Sequence, residues 1–535
     1  MKFRRVIAAI SVIALCVSST ACAQSDKQSA ESSVSDSSVK KDEIVFASTK
    51  DIRDINPHLY LGEMAAQNMI FESLVVNTAD GIKPALAETW EISEDGKEYI
   101  FHLRKDVSFS DGEKFDAQAV QANFDALLAN RERHAWLEMV ALIDKTEVVD
   151  DYTFKLFLTS AYYPTLQELG LTRPLRFISP KSFKDGGTKD GVASYIGTGP
   201  WVITEYKENQ YAVFTANENY WGEKPKVKTV RWKVMPDHQT ILLALEKGEI
   251  DLLFGSDGDM IDMNSFKVLQ EQGKYKTLMS EPIASRAVLL NSNRAVTRDL
   301  KVRQALQYAV DKDVIANGIL NGTESIADTL LAKTVPYCDI DLEVKKYDVA
   351  KANALLGEAG WKQESDGYRY KDGKRCEVTI SYNSDNAQEK TISEYLQSDF
   401  KKVGIELKIL GEEKQAYLDR QKTGEFDLQY SLSWGPPYDP ATYISSFRIP
   451  AHGDYQAQVG LERKEWLDTT IRQILLETDE NRRQEMYTEV LTYLHQECVY
   501  LPLTYSKTKA VYSTALQGVT FNVSQYEIPF EKMYY

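Results

Sequence analysis

Cysteine and histidine are scarce: the chain of 535 residues has 5 and 6 of them. That excludes a cluster-rich metalloprotein, so any bound metal must bring most of its ligands with it. A cationic excess is also missing. Lys and Arg total 63 against 79 acidic residues, a net charge of −16. This argues against nucleic-acid binding, which needs a basic surface. It leaves room for a local basic pocket. Beyond the first residues no run reaches the roughly 18 apolar residues of a membrane helix. No fixed-period repeat occurs, which excludes a solenoid or propeller. Catalytic signatures are missing as well: there is no H-E-x-x-H, no G-x-S-x-G and no P-loop. The acidic stretch 257–262 lacks the glycine and glutamate spacing of a calcium loop and reads as a solvated loop. Aromatics are plentiful, with 30 Tyr, 19 Phe and 8 Trp, enough for a large core or an aromatic-lined cavity. Length alone predicts three or four domains.

The N-terminus reads as a leader. Lys2, Arg4 and Arg5 precede an apolar run from Val6 to Val17, then small residues up to Ala21-Cys22. This is the layout of a secretory signal peptide over residues 1–21. Cleavage before Cys22 would leave that sulfur for lipidation. Ordinary secretion through an Ala21-Cys22-Ala23 site is the alternative, and Ser19 stands where a lipobox usually has Leu. The segment 24–41 is Ser-rich and without apolar periodicity, so residues 22–42 are expected to be a disordered tether. A tether is useful only if its other end is held, which favours lipid on Cys22. Losing the leader removes three cations and moves the net charge from −16 to about −19. Cys338, Cys376 and Cys498 are spaced too widely for a zinc motif and read as buried thiols, or as one disulfide and a thiol.

Strands and helices alternate along the rest. Residues 43–48, 99–104, 153–158 and 230–234 read as strands, three of them with clean apolar–polar alternation. Asp116 caps a helix whose Val120, Phe124, Leu127 and Leu128 share a face. Helices follow over 299–310, 348–360 and 391–403, then strands at 405–410 and 426–432, then a long helix over 480–498. Gly197-Thr198-Gly199-Pro200-Trp201 reads as a tight turn into a strand. The class is α/β with mixed sheets in at least two lobes.

Several motifs together resemble the family-5 solute-binding proteins of bacterial ABC importers, which take up peptides and nickel. They are Asn56-Pro57-His58, Leu86-Ala87-Glu88-Thr89-Trp90, Leu103-Arg104, Phe109-Ser110-Asp111-Gly112, Gly197 to Trp201, Asn219-Tyr220-Trp221 and Val302 to Leu306. The likeness runs from about Glu43 to about Lys532. The nickel-binding branch is nearer, through Arg131 to Glu138, Ser160 to Pro164, Leu166 to Leu169, Asn217 to Pro225, Trp434 to Pro440 and Glu527 to Glu531. The resemblance implies the two-lobed periplasmic-binding-protein (Venus-flytrap) fold of the large peptide- and nickel-binding type. Lobe one would hold 43–281 and 507–535, with an extra subdomain over about 80–196. Lobe two would hold 282–506, with crossings near 281–285 and 504–507. The lobes would close on ligand about a hinge.

The same likeness assigns the site. Arg133 and Arg173 match two arginines that face the ligand in nickel-binding relatives. A guanidinium holds a carboxylate by two hydrogen bonds and opposes a bare cation. The implied ligand is therefore a nickel(II) chelate with free carboxylates, the chelator being histidine or a small polycarboxylate. On a helix, Arg133 and Trp136 would share a face. Trp136 and Trp434 would wall the chelate, with Tyr438, Tyr60 and Met64 also lining it. His452 matches the histidine that ligates nickel, and imidazole suits that metal. His134, His238, His495, His102 and His58 are left as structural or surface residues. Leu61 and Tyr526 depart from the relatives' polar or smaller residues and imply a narrower or less polar pocket. Peptide-binding relatives carry an Asp before the tyrosine of this Trp…Tyr segment, where this chain has Pro437. A buried ammonium without a carboxylate is costly, so an oligopeptide or dipeptide receptor is the alternative reading. An extracellular hydrolase is the remaining one, with no constellation in its favour. The implied partners are ABC permease subunits and, through the lipid, the cell membrane. The expected form is a monomer with no catalytic cofactor.

Overall fold

The computed structural model describes residues 41–134, 136–255, 261–433 and 440–535. The leader, Cys22, the tether to residue 40, Trp434, Pro437 and Tyr438 lie outside the described residues, as do positions 257–260 of the acidic stretch.

Two mixed sheets dominate. The first has seven strands in the order Trp201–Lys207, Tyr211–Ala216, Thr229–Val234, Glu43–Ser48, Leu252–Gly255, Lys509–Tyr512 and Lys276–Met279. Glu43–Ser48 is central and runs parallel to both neighbours. Its Ile44 and Phe46 are buried, as the alternation requires, and Phe46 meets Trp232 edge-on at 4.8 Å. The second sheet has six strands: Ser325–Ile326, Tyr500–Ser506, Ala284–Leu290, Leu428–Leu432, Glu377–Asn383 and Glu406–Glu412. The chain leaves the first sheet after Met279 and enters the second at Ala284; it returns between Ser506 and Lys509.

A third, antiparallel sheet of four strands orders Ala87–Ile92, Glu98–Leu103, Thr153–Leu158 and Ile143–Asp150. Helix Ala117–Leu128 covers its inner face, and Phe124 stacks on Phe154 at 5.2 Å. The Asp116 carboxylate accepts from the Ala119 N–H at 2.9 Å and so caps this helix. The same core continues into helices Lys464–Leu476 and Glu480–Glu497 through Leu467, Ile471, Tyr487 and Val490. At that seam the Tyr163 N–H donates to the Leu475 carbonyl at 2.7 Å, and Arg483 lies 3.4 Å from the Tyr163 ring centre.

Glu72, which belongs to none of the sequence motifs, gathers several of them. Its half-buried carboxylate accepts from the Thr198 hydroxyl at 2.8 Å, Trp221 Nε1 at 2.8 Å and the Tyr220 hydroxyl at 3.0 Å. Arg104 sits 4.3 Å from the Trp221 ring centre, and the Ser110 N–H donates to the Gly197 carbonyl. Only glycine fits at 197 and 199, because a Cβ there would come within 2.1 and 2.7 Å of the Ile70 carbonyl oxygen. The Gly197–Trp201 turn is therefore scaffold and runs directly into strand Trp201–Lys207.

Cys338, Cys376 and Cys498 are buried, and among the described residues none of them forms a disulfide. Burial pushes the Cys376 thiol up to about 12 and Cys498 up to about 11, so both are inert. No described helix is long and apolar enough to cross a membrane.

Candidate functional site

The site is built around Tyr60. Asn56 starts a turn in which the Leu59 N–H returns to the Asn56 carbonyl at 3.0 Å. The Asn56 side chain is buried and donates to the Thr188 carbonyl. His58, also buried, bonds Thr188 and the Arg176 carbonyl, as a structural histidine should. Gly62 lets the loop fold onto itself, since a Cβ there would lie 2.3 Å from the Asp54 carbonyl oxygen. Helix Met64–Ile70 follows, with Met64 as its half-buried first residue.

Two guanidiniums flank the Tyr60 ring. Arg133 Cζ lies 5.6 Å and Arg173 Cζ 5.3 Å from its centre, inside the range of cation–π attraction. Arg173 is half-buried and donates to the Gly62 carbonyl at 3.0 Å. Arg133 is exposed, and among the described residues its guanidinium meets the Tyr60 ring and makes no side-chain hydrogen bond. Among the described residues neither arginine makes an ion pair. Burial pulls the Arg173 pKa down. An anion supplied from outside would relieve that penalty.

The Tyr60 hydroxyl is held from two sides. Trp136 Nε1 donates to it at 2.8 Å, and His134 Nδ1 lies 2.7 Å away. Burial first, and Arg133 second, push the His134 imidazole down to about 4, so it is neutral at physiological pH. Burial pushes the Tyr60 phenol up to about 12; the Trp136 hydrogen bond and the two arginines act the other way. The phenol is therefore protonated.

Here the structure corrects one expectation. Arg133 and Trp136 do not share a helix face. Residues Arg131–His134 form a single 3-10 turn, and Trp136 lies beyond it in a turn. His134, left as a structural or surface residue, is structural: it is fully buried, and its Nδ1 lies 2.7 Å from the Tyr60 hydroxyl. No local signal marks it, since its partner lies 74 residues away in the chain. The His-x-Trp spacing beside an arginine is the one hint the sequence offers.

His452 sits elsewhere in the chain, half-buried as the N-cap residue of the short helix Gly453–Gln458. Burial lowers its pKa, and the Asp454 carboxylate acts the other way. It is thus largely neutral above its ordinary range, the form that ligates metal. Its segment is tied to the arginine segment by an ion pair that motif reading missed. Arg448 Nη1 donates to Glu138 Oε2 at 3.0 Å, four residues before His452 and two after Trp136. Tyr526 carries its carbonyl to Asn68 Nδ2 at 3.1 Å, and its side chain lies close enough to Arg173 to act on its charge. Leu61 is exposed. Among the described residues no group of three or more His, Cys, Asp or Glu side chains could hold a metal ion.

Two mixed sheets joined by two crossings, with a third sheet inserted, make this the two-lobed α/β fold of periplasmic binding proteins. Residues 81–455 match the model of the bacterial extracellular solute-binding proteins, family 5 Middle, and the chain belongs to that family. It is 43% identical to the nickel-binding periplasmic protein of Escherichia coli K12, across 92% of this chain and 94% of that one. It is 29% identical to the dipeptide-binding protein of the same organism, across 88% and 90%. The crystal structure of NikA from Brucella suis in complex with Fe(III)-EDTA superposes with a TM-score of 0.90 at 46% identity, covering 92% of this chain and 99% of that one. The family is one of solute-binding proteins, not of enzymes.

Proposed function

We propose that this protein is an extracytoplasmic receptor that captures a nickel(II) chelate and delivers it to an ABC permease. The observation that carries the reading is the pair Arg133 and Arg173, held beside one tyrosine ring and in no ion pair among the described residues. Two guanidiniums, one of them half-buried, repel a bare metal cation and attract carboxylates. A metal reaching them must be wrapped in a ligand with free carboxylates. His452 supplies one nitrogen donor from the other segment, and the chelator supplies the rest. Similarity to a nickel-binding protein, and to a protein solved with a metal polycarboxylate, supports this.

In this reading the lobes are 43–281 with 507–535, and 282–506. They close about the two crossings, and the closed form docks on the permease. The chain works as a monomer, tethered by lipid on Cys22, and forms no covalent bond with its cargo. Similarity to a dipeptide-binding protein keeps one rival, a peptide receptor. Titration calorimetry on the full-length mature protein separates the two. Nickel with L-histidine, or with a small polycarboxylate, should bind at micromolar Kd or better. No heat with either, together with micromolar binding of a dipeptide, would overturn the nickel reading.

A further inference from the structure

His134 is fully buried, and its Nε2 has no hydrogen-bond partner among the described residues. Its Nδ1 has one, the Tyr60 oxygen at 2.7 Å. A neutral imidazole carries one proton, on one nitrogen or the other. On Nε2 it would be a buried N–H with nothing to receive it, the rarer and costlier kind of orphan. On Nδ1 it is satisfied by Tyr60, and only a lone pair is left bare. The second arrangement is favoured. Its consequence falls on Tyr60. That oxygen then accepts two N–H bonds, from His134 Nδ1 and from Trp136 Nε1 at 2.8 Å. Its own O–H must point in the remaining direction. No described residue accepts it, and the flanking Arg133 and Arg173 are donors only. The hydroxyl is left waiting for an acceptor from outside.

We propose that His134 is a positioning residue which, as its Nδ1–H tautomer, turns the Tyr60 O–H outward as a third donor beside Arg133 and Arg173 for one carboxylate of the bound chelate. This deepens the chelate reading and rests on it for the ligand. It adds a selection rule: the group between the arginines must accept three hydrogen bonds, as a carboxylate oxygen pair does and an amine or a metal aqua ligand does not. Burial keeps the imidazole neutral and the phenol protonated, as the arrangement requires. Two N–H donors on the phenol oxygen also polarise its O–H and strengthen the bond it gives.

The test has two arms. In the ligand-free mature protein, long-range nitrogen–proton NMR correlations of His134 should show the Nδ1–H tautomer. An Nε2–H spectrum would overturn the assignment whatever the protein binds. The second arm uses nickel(II)–EDTA, whose chelator fills the metal's coordination sphere and so isolates the carboxylate contacts from His452. Tyr60→Phe and His134→Leu should each weaken it about tenfold, the worth of one hydrogen bond to a charged group, and the double variant should lose no more than either alone. His134→Asn, which offers an amide N–H near the Nδ1 position, should recover most of the loss. Wild-type affinity in His134→Leu, or equal loss in His134→Asn and His134→Leu, would refute the positioning role. Should the wild type bind no nickel chelate at all, the proposed function fails, while the tautomer spectrum still decides the role of His134.

Discussion

Two arginine centres in this molecule handle the same charge in opposite ways. Arg286, on the strand that enters the second sheet, is buried and lies against the buried Glu324, with Nη2 to Oε1 at 3.2 Å. Thr504, on the strand that leads back, also donates to Glu324, and Lys509 adds its charge across the crossing. Burial alone would raise the Glu324 pKa, but these cations outweigh it and hold the group below its ordinary range. Around Tyr60 there are two cations that no described carboxylate pairs; Glu63 acts on Arg173 only through its charge. Of the two, Arg173 is half-buried, and burial penalises its charge without an ion pair to offset it, a cost that an outside anion would relieve. Paired arginine reads as architecture; unpaired arginine reads as appetite for a ligand.

The first way to break that comparison is Glu324→Gln. It removes the carboxylate charge that faces Arg286 between the two crossings, and loss of one partner of a buried pair costs about 3–5 kcal/mol. Urea unfolding should show this loss. In the wild type the pH dependence follows from a folded pKa below the unfolded one. The stabilisation is complete above the ordinary glutamate range and drains away as pH falls through the folded value. The variant should lack that acid-side slope. If it unfolds no more readily than the wild type, the pair is not structural.

The second is Arg133→Ala and Arg173→Ala. With no ion pair to lose, Arg133→Ala should change stability by less than about 0.5 kcal/mol. Arg173→Ala should cost little more than its one bond to the Gly62 carbonyl. Each should still weaken a nickel–polycarboxylate by about 10–100-fold in calorimetry, the worth of charge-assisted hydrogen bonds. Arg133→Lys should restore only part of this, because an ammonium keeps the charge but not the fork. Affinity that survives both alanine variants would mean the unpaired cations serve something other than the cargo.

Much of the architecture was legible because it is local. Alternation marks Thr153–Leu158 to the residue, and the Asp116, Asp299 and Asp348 side chains each cap the helix expected of them. The helix read as starting at 391 begins instead at Ala387, capped by Asn386, because its first turn is polar and apolar periodicity starts only at Ile392. The site was legible in part. Arg133, Arg173 and Tyr60 do meet, but only likeness to a family named them, since no spacing rule links residues 60, 133 and 173. His134 and Glu72 escaped for the same physical reason. Each acts through side chains far away in sequence, and a buried hydrogen bond leaves no periodic trace.

The smallest effect belongs to the pair that is neither buried nor unpaired. Glu138 and Arg448 meet at 3.0 Å with side-chain exposures of 24% and 15%. Solvent screens such a pair, so Glu138→Gln should cost only about 1 kcal/mol of stability, and a double-mutant cycle with Arg448→Met should assign most of that to the pair. Its position gives it a second readout. It joins the segment of Arg133 and Trp136 to that of His452, so loosening it should let the cargo leave sooner without changing how the arginines attract it. Stopped-flow measurements should therefore show nickel–histidine release faster by a few-fold, with the association rate unchanged, because most interface changes act on dissociation. A slower association instead would mean that Glu138 and Arg448 shape the open cleft and not its closed form.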